Sequence, residues 1–179
     1  MQEKRAEWKE VTKDIPKEKL VFLDESGVNT NLIRRYSRSV GKTRVVDNAP
    51  FNTPQNTTVL SAIRQDGPFA CTTFDGGTTK ERFQEYLETV LLPLIHEGGY
   101  VIMDNLRTHH CNFVGELIRA KGATLLYLPP YSPDLNPIEK MCSKMKSILR
   151  KWRIRLQDRL IPAVQEALDL IPPSDCLVS

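Results

Sequence analysis

Three acidic residues stand where chemistry could be done. Asp24 follows the apolar run Leu20-Val21-Phe22-Leu23, Asp104 follows Tyr100-Val101-Ile102-Met103, and Glu139 comes shortly after a third apolar stretch, Thr124 to Leu128. The first two runs read as buried strands that deliver carboxylates at their carboxyl ends. Glu139 falls in the first turn of a helix opened by Asn136-Pro137, with proline favoured at the first helical position. Were the first two strands neighbours, Asp24 and Asp104 would meet at the sheet edge where ligands of open sheets bind, and the helix could aim Glu139 at the same spot. Three carboxylates in a partly desolvated pocket repel one another unless a cation sits among them. Hard oxygen donors suit Mg²⁺ or Mn²⁺. Two such ions, about 3.5–4 Å apart, can activate a water or hydroxyl on one side of a phosphodiester and stabilise the leaving oxygen on the other. Each acid also has a plainer reading. Asp24 and Asp104 could be turn formers at strand ends, and Glu139 could be the reciprocal partner of Asn136 in a capping box.

The elements that must position these acids follow from the same text. A charge-rich lead-in helix spans residues 1 to 14 and ends before Ile15-Pro16. Thr57 to Ile63 reads as a strand, Asp66-Gly67-Pro68 as a turn, and Phe69 to Phe74 as the antiparallel partner. Arg34 to Val46 carries a weak signal for a further strand or hairpin. Thr78, with Glu81 three residues on, has capping-box spacing for a helix bearing Phe83, Leu87, Val90, Leu91, Leu94 and Ile95 on one face. Pro93 should kink that helix or cut it short. Phe113, Val114, Leu117 and Ile118 mark a helix that Gly122 closes. The helix from Asn136 runs basic toward Arg155, and an amphipathic helix lies around Ala163 to Leu170. The fold class expected is α/β, a mixed sheet with helices packed against it.

Composition sets the frame. The chain has 179 residues, 40% hydrophobic and 26% charged, with only 9 Gly and 12 Pro, enough for one well-buried core and unlike a disordered or fibrous chain. No apolar run is long enough to span a membrane, and Met1-Gln2-Glu3-Lys4-Arg5 does not open a signal peptide, so a cytoplasmic protein is expected. Cys71, Cys111, Cys142 and Cys176 are scattered, without a Cys-x-x-Cys pair, which argues against a disulfide scaffold or structural zinc. The net charge of +3 announces no polyanionic partner, but its distribution does. Ser26 to Val46 holds Arg34, Arg35, Arg38, Lys42 and Arg44 with no acid, and Lys140 to Arg159 holds eight basic residues, including Lys140, Lys144, Lys146 and Arg150, against Asp158 alone. Such tracts are the footprint a nucleic acid needs, although solvated helix faces carry similar charge. Gly76-Gly77-Thr78-Thr79-Lys80 lacks the Gly-Lys-Ser/Thr order of a phosphate-binding loop, and a helix cap explains it.

The spacing adds more. Between Asp104 and Glu139 lie 34 residues, beginning Asp104-Asn105-Leu106-Arg107-Thr108-His109 and ending Leu128-Pro129-Pro130-Tyr131-Ser132-Pro133-Asp134-Leu135-Asn136-Pro137-Ile138-Glu139. With Phe22-Leu23-Asp24-Glu25-Ser26-Gly27 upstream, the chain closely resembles the catalytic domain of mariner-superfamily DDE transposases, especially their bacterial insertion-sequence branch, over roughly Glu18 to Pro172. The resemblance implies a ribonuclease H-like mixed sheet flanked by helices in residues 18–179, preceded by the lead-in segment 1–17. It makes Asp24, Asp104 and Glu139 the catalytic and metal-binding triad, holding two Mg²⁺ ions for which Mn²⁺ can substitute. Asn105 and His109 become auxiliary residues beside the second Asp. For His109 a structural hydrogen bond is an equally good reading. Arg34, Arg35, Arg38, Lys42, Arg44, Lys140, Lys144, Lys146 and Arg150 become candidate phosphate contacts.

The activity implied is metal-dependent cleavage of DNA at terminal inverted repeats, followed by attack of the freed 3′-hydroxyl on target DNA, typically at a TA dinucleotide. Terminal-repeat and target DNA are the expected partners, a homodimer the expected active form, and the prokaryotic nucleoid the expected place. Two departures stand out. Cys142 occupies the position, three residues beyond the Glu, where relatives usually carry Trp, and the helix-turn-helix modules that precede the catalytic domain in relatives are expected to be absent. Two alternatives accompany this reading: an inactive or truncated remnant that binds DNA without cleaving, and a different ribonuclease H-like nuclease, which would lack the Tyr131 to Glu139 signature.

Overall fold

The computed structural model describes residues 2–33, 39, 41, 46, 54–104, 112–130 and 132–176. Arg34, Arg35, Arg38, Lys42, Arg44, Asn105 and His109 lie outside the described residues, as does most of the expected Arg34 to Val46 strand.

Helix α1 (Gln2–Lys13) leads into strand β1 (Leu20–Val28). Strands β2 (Thr57–Arg64) and β3 (Gly67–Asp75) form the expected hairpin, followed by α2 (Lys80–Tyr86), β4 (Tyr100–Met103), α3 (Asn112–Ala120), β5 (Thr124–Tyr127), α4 (Ile138–Trp152) and α5 (Gln157–Asp169). The sheet order is β3-β2-β1-β4-β5. β1 pairs antiparallel with β2 and parallel with β4, and β4 pairs parallel with β5. This is the mixed α/β sheet that the apolar runs announced. Alternation along the strands sorts their side chains to two faces. Leu20, Phe22, Val28, Val59, Ile63 and Ile102 meet α4 and α5 through Met141, Met145, Leu149, Leu160 and Val164. Val21, Leu23, Leu60, Val101 and Met103 meet α2 and α3 through Phe83, Leu87, Val114 and Ile118. The central strands are thus covered on both sides, which explains their nearly unbroken apolar character. No helix among the described residues is long and apolar enough to cross a membrane.

Two local expectations need correction, and a third, the shortening of a helix at Pro93, is borne out. β1 does not stop at Asp24 but continues to Val28, because β2 keeps pairing with it as far as Val28↔Thr57. The helix after Gly77 is capped by Thr79, one residue later than expected, with the Arg82 N–H donating to Thr79 Oγ1 at 3.3 Å. It ends at Tyr86 and passes into a wide turn, Leu87–Leu91, and a tight one, Leu92–Leu94, since Pro93 has no N–H to continue the ladder. Thr79→Ala should lower stability by about 1 kcal/mol, read from urea unfolding, whereas Thr78→Ala should not.

Candidate active site

The end of β4 decides the geometry. Its last pair with β1 is Leu23↔Met103, so the next residues, Asp24 and Asp104, follow side by side on adjacent parallel strands, whose spacing is about 4.8 Å. Phe22 and Ile102, two residues earlier on each strand, both belong to the core beneath α4. By the period of two, Asp24 and Asp104 therefore share the α4 face. Asp24 sits within β1, held between β2 and the point where β4 gives out. Both aspartates are partly buried, whereas Glu139, in the first turn of α4, is exposed.

Asn136 links these parts. Its Nδ2 donates to Asp24 Oδ2 at 3.4 Å, while the Glu25 N–H donates to Asp24 Oδ1 at 2.7 Å. The Asn136 carbonyl accepts the Glu139 N–H at 3.2 Å. One residue thus touches the first acid with its side chain and the helix of the third with its backbone. The capping-box reading of Asn136 and Glu139 does not hold: α4 has no side-chain cap among the described residues, and the Asn136 amide, 5% exposed, turns to the sheet instead. Sequence reading missed this role because an Asn before a helix looks like a cap, and its partner on β1 is 112 residues away. Ser61, the residue of β2 opposite Asp24, was missed as well. Ser61 Oγ and Asn136 Oδ1 are both buried and have no hydrogen-bond partner among the described residues.

Cys142 lies behind this group, 6% exposed. Burial first, then the negative charge of Asp24, push its thiol up to about 11, with Glu139 adding to the rise and a hydrogen bond with Ser26 and the charge of Lys146 opposing it. Buried in the core cluster beside Met141 and Met145, Cys142 is held there as a neutral thiol.

The chemistry of the donors fits a hard divalent cation, since carboxylate and amide oxygens predominate. Among the described residues, no group of three or more His, Cys, Asp or Glu side chains is gathered closely enough to hold a metal by itself. Mg²⁺ does not require such a cage, being bound typically through one or two carboxylates with waters and substrate phosphates completing the shell. Ser61 and Asn136 flank Asp24 from the buried side, with Ser61 Oγ and Asn136 Oδ1 sealed from solvent.

The basic residues of α4 divide by their surroundings. Lys144 is tied to Asp175 in an ion pair, Lys140 is exposed, and Lys146 and Arg150 are half-buried. Arg155 donates to the carbonyls of Thr30 at 2.9 Å and Leu32 at 3.4 Å, which anchors the chain where the other basic tract begins.

The model of one family, described as "DDE superfamily endonuclease", matches residues 19–161. Comparison with curated protein sequences gives no match. Among solved structures, a pre-cleavage Mos1 transpososome is similar with a TM-score of 0.80 and 16% identity, over 98% of this chain and 56% of that one. The Mos1 mariner paired end complex with Mn gives 0.79 and 16%, over 98% and 55%. The catalytic domain of Mos1 mariner transposase gives 0.72 and 16%, over 98% and 82%. This chain therefore spans little more than half of the transposase chains in those complexes. Its mixed five-stranded sheet flanked by helices is the ribonuclease H-like fold of that catalytic domain.

Proposed function

The chain belongs to the DDE superfamily endonucleases, and from that premise we propose that it is the catalytic domain of a DNA transposase, of the bacterial insertion-sequence branch of the mariner superfamily. Asp24, Asp104 and Glu139 carry the reaction. The observation that supports this most is the register of β1 and β4, which sets Asp24 beside Asp104 under α4, with Asn136 joining Asp24 to the helix of Glu139.

On this reading the substrate is DNA at terminal inverted repeats, cut by water, and the freed 3′-hydroxyl then attacks target DNA at a TA dinucleotide. Asp24 and Asp104 would hold two Mg²⁺ ions, or Mn²⁺ in their place, with Glu139 joining from α4. Divalent ions supply, when bound, activation of the attacking oxygen and stabilisation of the leaving one. The protein's own part is to fix the carboxylates: the Glu25 N–H and the Asn136 amide hold the two oxygens of Asp24, and packing of Met141 and Met145 against the sheet sets the depth of α4. Lys140, Lys146 and Arg150, with the basic tract from Arg34 to Arg44, position the DNA backbone without reading its sequence. Asn105 and His109 assist beside Asp104. Two copies act together, one at each element end, in the prokaryotic nucleoid.

Nicking of supercoiled plasmid tests the reading. Mg²⁺ or Mn²⁺ should support it and a chelator should stop it; cleavage indifferent to chelator would refute the metal-dependent mechanism. No cleavage by the chain even when joined to a DNA-binding region and offered terminal-repeat DNA would favour a remnant that binds without cutting. Asn136→Ala should weaken divalent binding by about tenfold, as losses of groups that orient metal ligands do, read from Mn²⁺ binding by electron paramagnetic resonance as well as from the Mg²⁺ dependence of nicking. Unchanged Mn²⁺ affinity would reduce Asn136 to packing.

A further inference from the structure

Helix α1 has no part in the chemistry above, yet it is fastened to the segment that carries Glu139. Arg5 forms an ion pair with Asp134, and Trp8, partly buried, packs at the margin of the core beneath α4. Between α1 and the stretch Pro133 to Lys140 lies a cavity of about 460 Å³, within the range of small-ligand sites. Trp8 and Lys9 line it from α1, and Asn136, Glu139 and Lys140 from the other side.

These features define a complement. An aromatic wall favours a flat ring. Lysines on both walls favour a ring attached to phosphate, and Glu139 makes the cavity continuous with the proposed phosphodiester site. A nucleobase on its sugar-phosphate brings both a flat ring and a negative charge to these walls, whereas an uncharged apolar ligand brings only the first. We propose that this cavity receives one base of the DNA strand held at Asp24, Asp104 and Glu139, with Trp8 as the stacking residue. The inference rests on the reading of the chain as acting on DNA. It gives α1 a function: the helix builds the wall that keeps a nucleotide next to the reaction point in place. Base stacking on an aromatic side chain is tolerant of sequence, so the pocket would grip the strand rather than select a motif.

The chain has two tryptophans, so Trp152→Phe leaves Trp8 as the only tryptophan, excited at the red edge where tyrosine does not absorb. A short fluorescein-labelled single-stranded oligodeoxynucleotide, titrated in Ca²⁺, reports total binding by anisotropy, and the unlabelled strand reports on Trp8 by its emission. We expect saturable quenching of Trp8 with the midpoint of the anisotropy curve, and loss of that quenching when one particular nucleotide is made abasic. Trp8→Ala should weaken binding about tenfold, while Trp8→Phe, which keeps a flat face and the packing of α1, should retain most of the affinity. DNA binding by anisotropy with silent Trp8 emission, or with equal affinity in Trp8→Ala, overturns the pocket and leaves the proposed function standing. No anisotropy change at all also overturns the pocket, while the proposed function is judged separately by the nicking of duplex DNA.

Discussion

Replacing Asp104 with asparagine is expected to reduce DNA nicking by about a thousandfold or more while leaving the thermal melt where it was. The substitution keeps the size of the side chain while removing its charge and turning one acceptor oxygen into a donor, at the residue that follows the last β1–β4 pair and stands beside Asp24. Divalent-ion stabilisation of transition-state charge is worth several kcal/mol, and each 1.36 kcal/mol is about a factor of ten in rate. Asp24→Asn and Glu139→Gln should act likewise. Mn²⁺ binding measured on the same variants separates loss of metal from loss of fold. Persistent cleavage by Asp104→Asn, with contaminating nucleases excluded by a mock purification, would sink the assignment of the three acids.

The second large effect concerns stability. Phe22→Ala should cost about 3–5 kcal/mol in urea unfolding, a large part of the total for a domain of this size. Phe22 is 2% exposed and packs in the core beneath α4, two residues before Asp24. Removing it leaves a cavity between β1 and α4 that Met141 and Met145, both fully buried, can fill only in part, Met being the more adaptable of core residues. A loss below about 1 kcal/mol would mean that the layer closes over the gap, as well-relaxed sites do, and that α4 is held chiefly by other contacts. Destabilisation here and inactivation at Asp104 are expected to be separable, since one variant loses packing and the other keeps its size while losing charge.

Much of this architecture is written locally. Leu20 to Leu23, Tyr100 to Met103 and Thr124 to Tyr127 are apolar runs bounded by acids, glycines or prolines, and each became a strand because its neighbours break any longer periodicity. Gly122, at φ +78°, closes α3 as its place after the apolar face suggested. The failures are also physical. The extent of β1 beyond Asp24 depends on β2, and the diversion of Asn136 from cap to sheet depends on Asp24 coming within reach. Neither partner is near in sequence, so no local pattern could distinguish an Asn that caps a helix from one that supports a carboxylate.

By itself, then, the sequence determined which segments are strands and helices, which acids follow them, and, through the run from Tyr131 to Glu139, which family they resemble. Those properties are carried by side-chain periodicity and turn chemistry within a few residues of one another. The tertiary structure alone decided that β4 pairs with β1 rather than lying elsewhere in the sheet, that the pairing ends where Asp24 and Asp104 stand together, that Asn136 and Ser61 flank the first acid, and that α1 returns to wall a cavity beside Glu139. The reason is that strand order and register are set by the burial of two apolar faces at once, a sum over residues distant in the chain, which no single stretch of sequence contains.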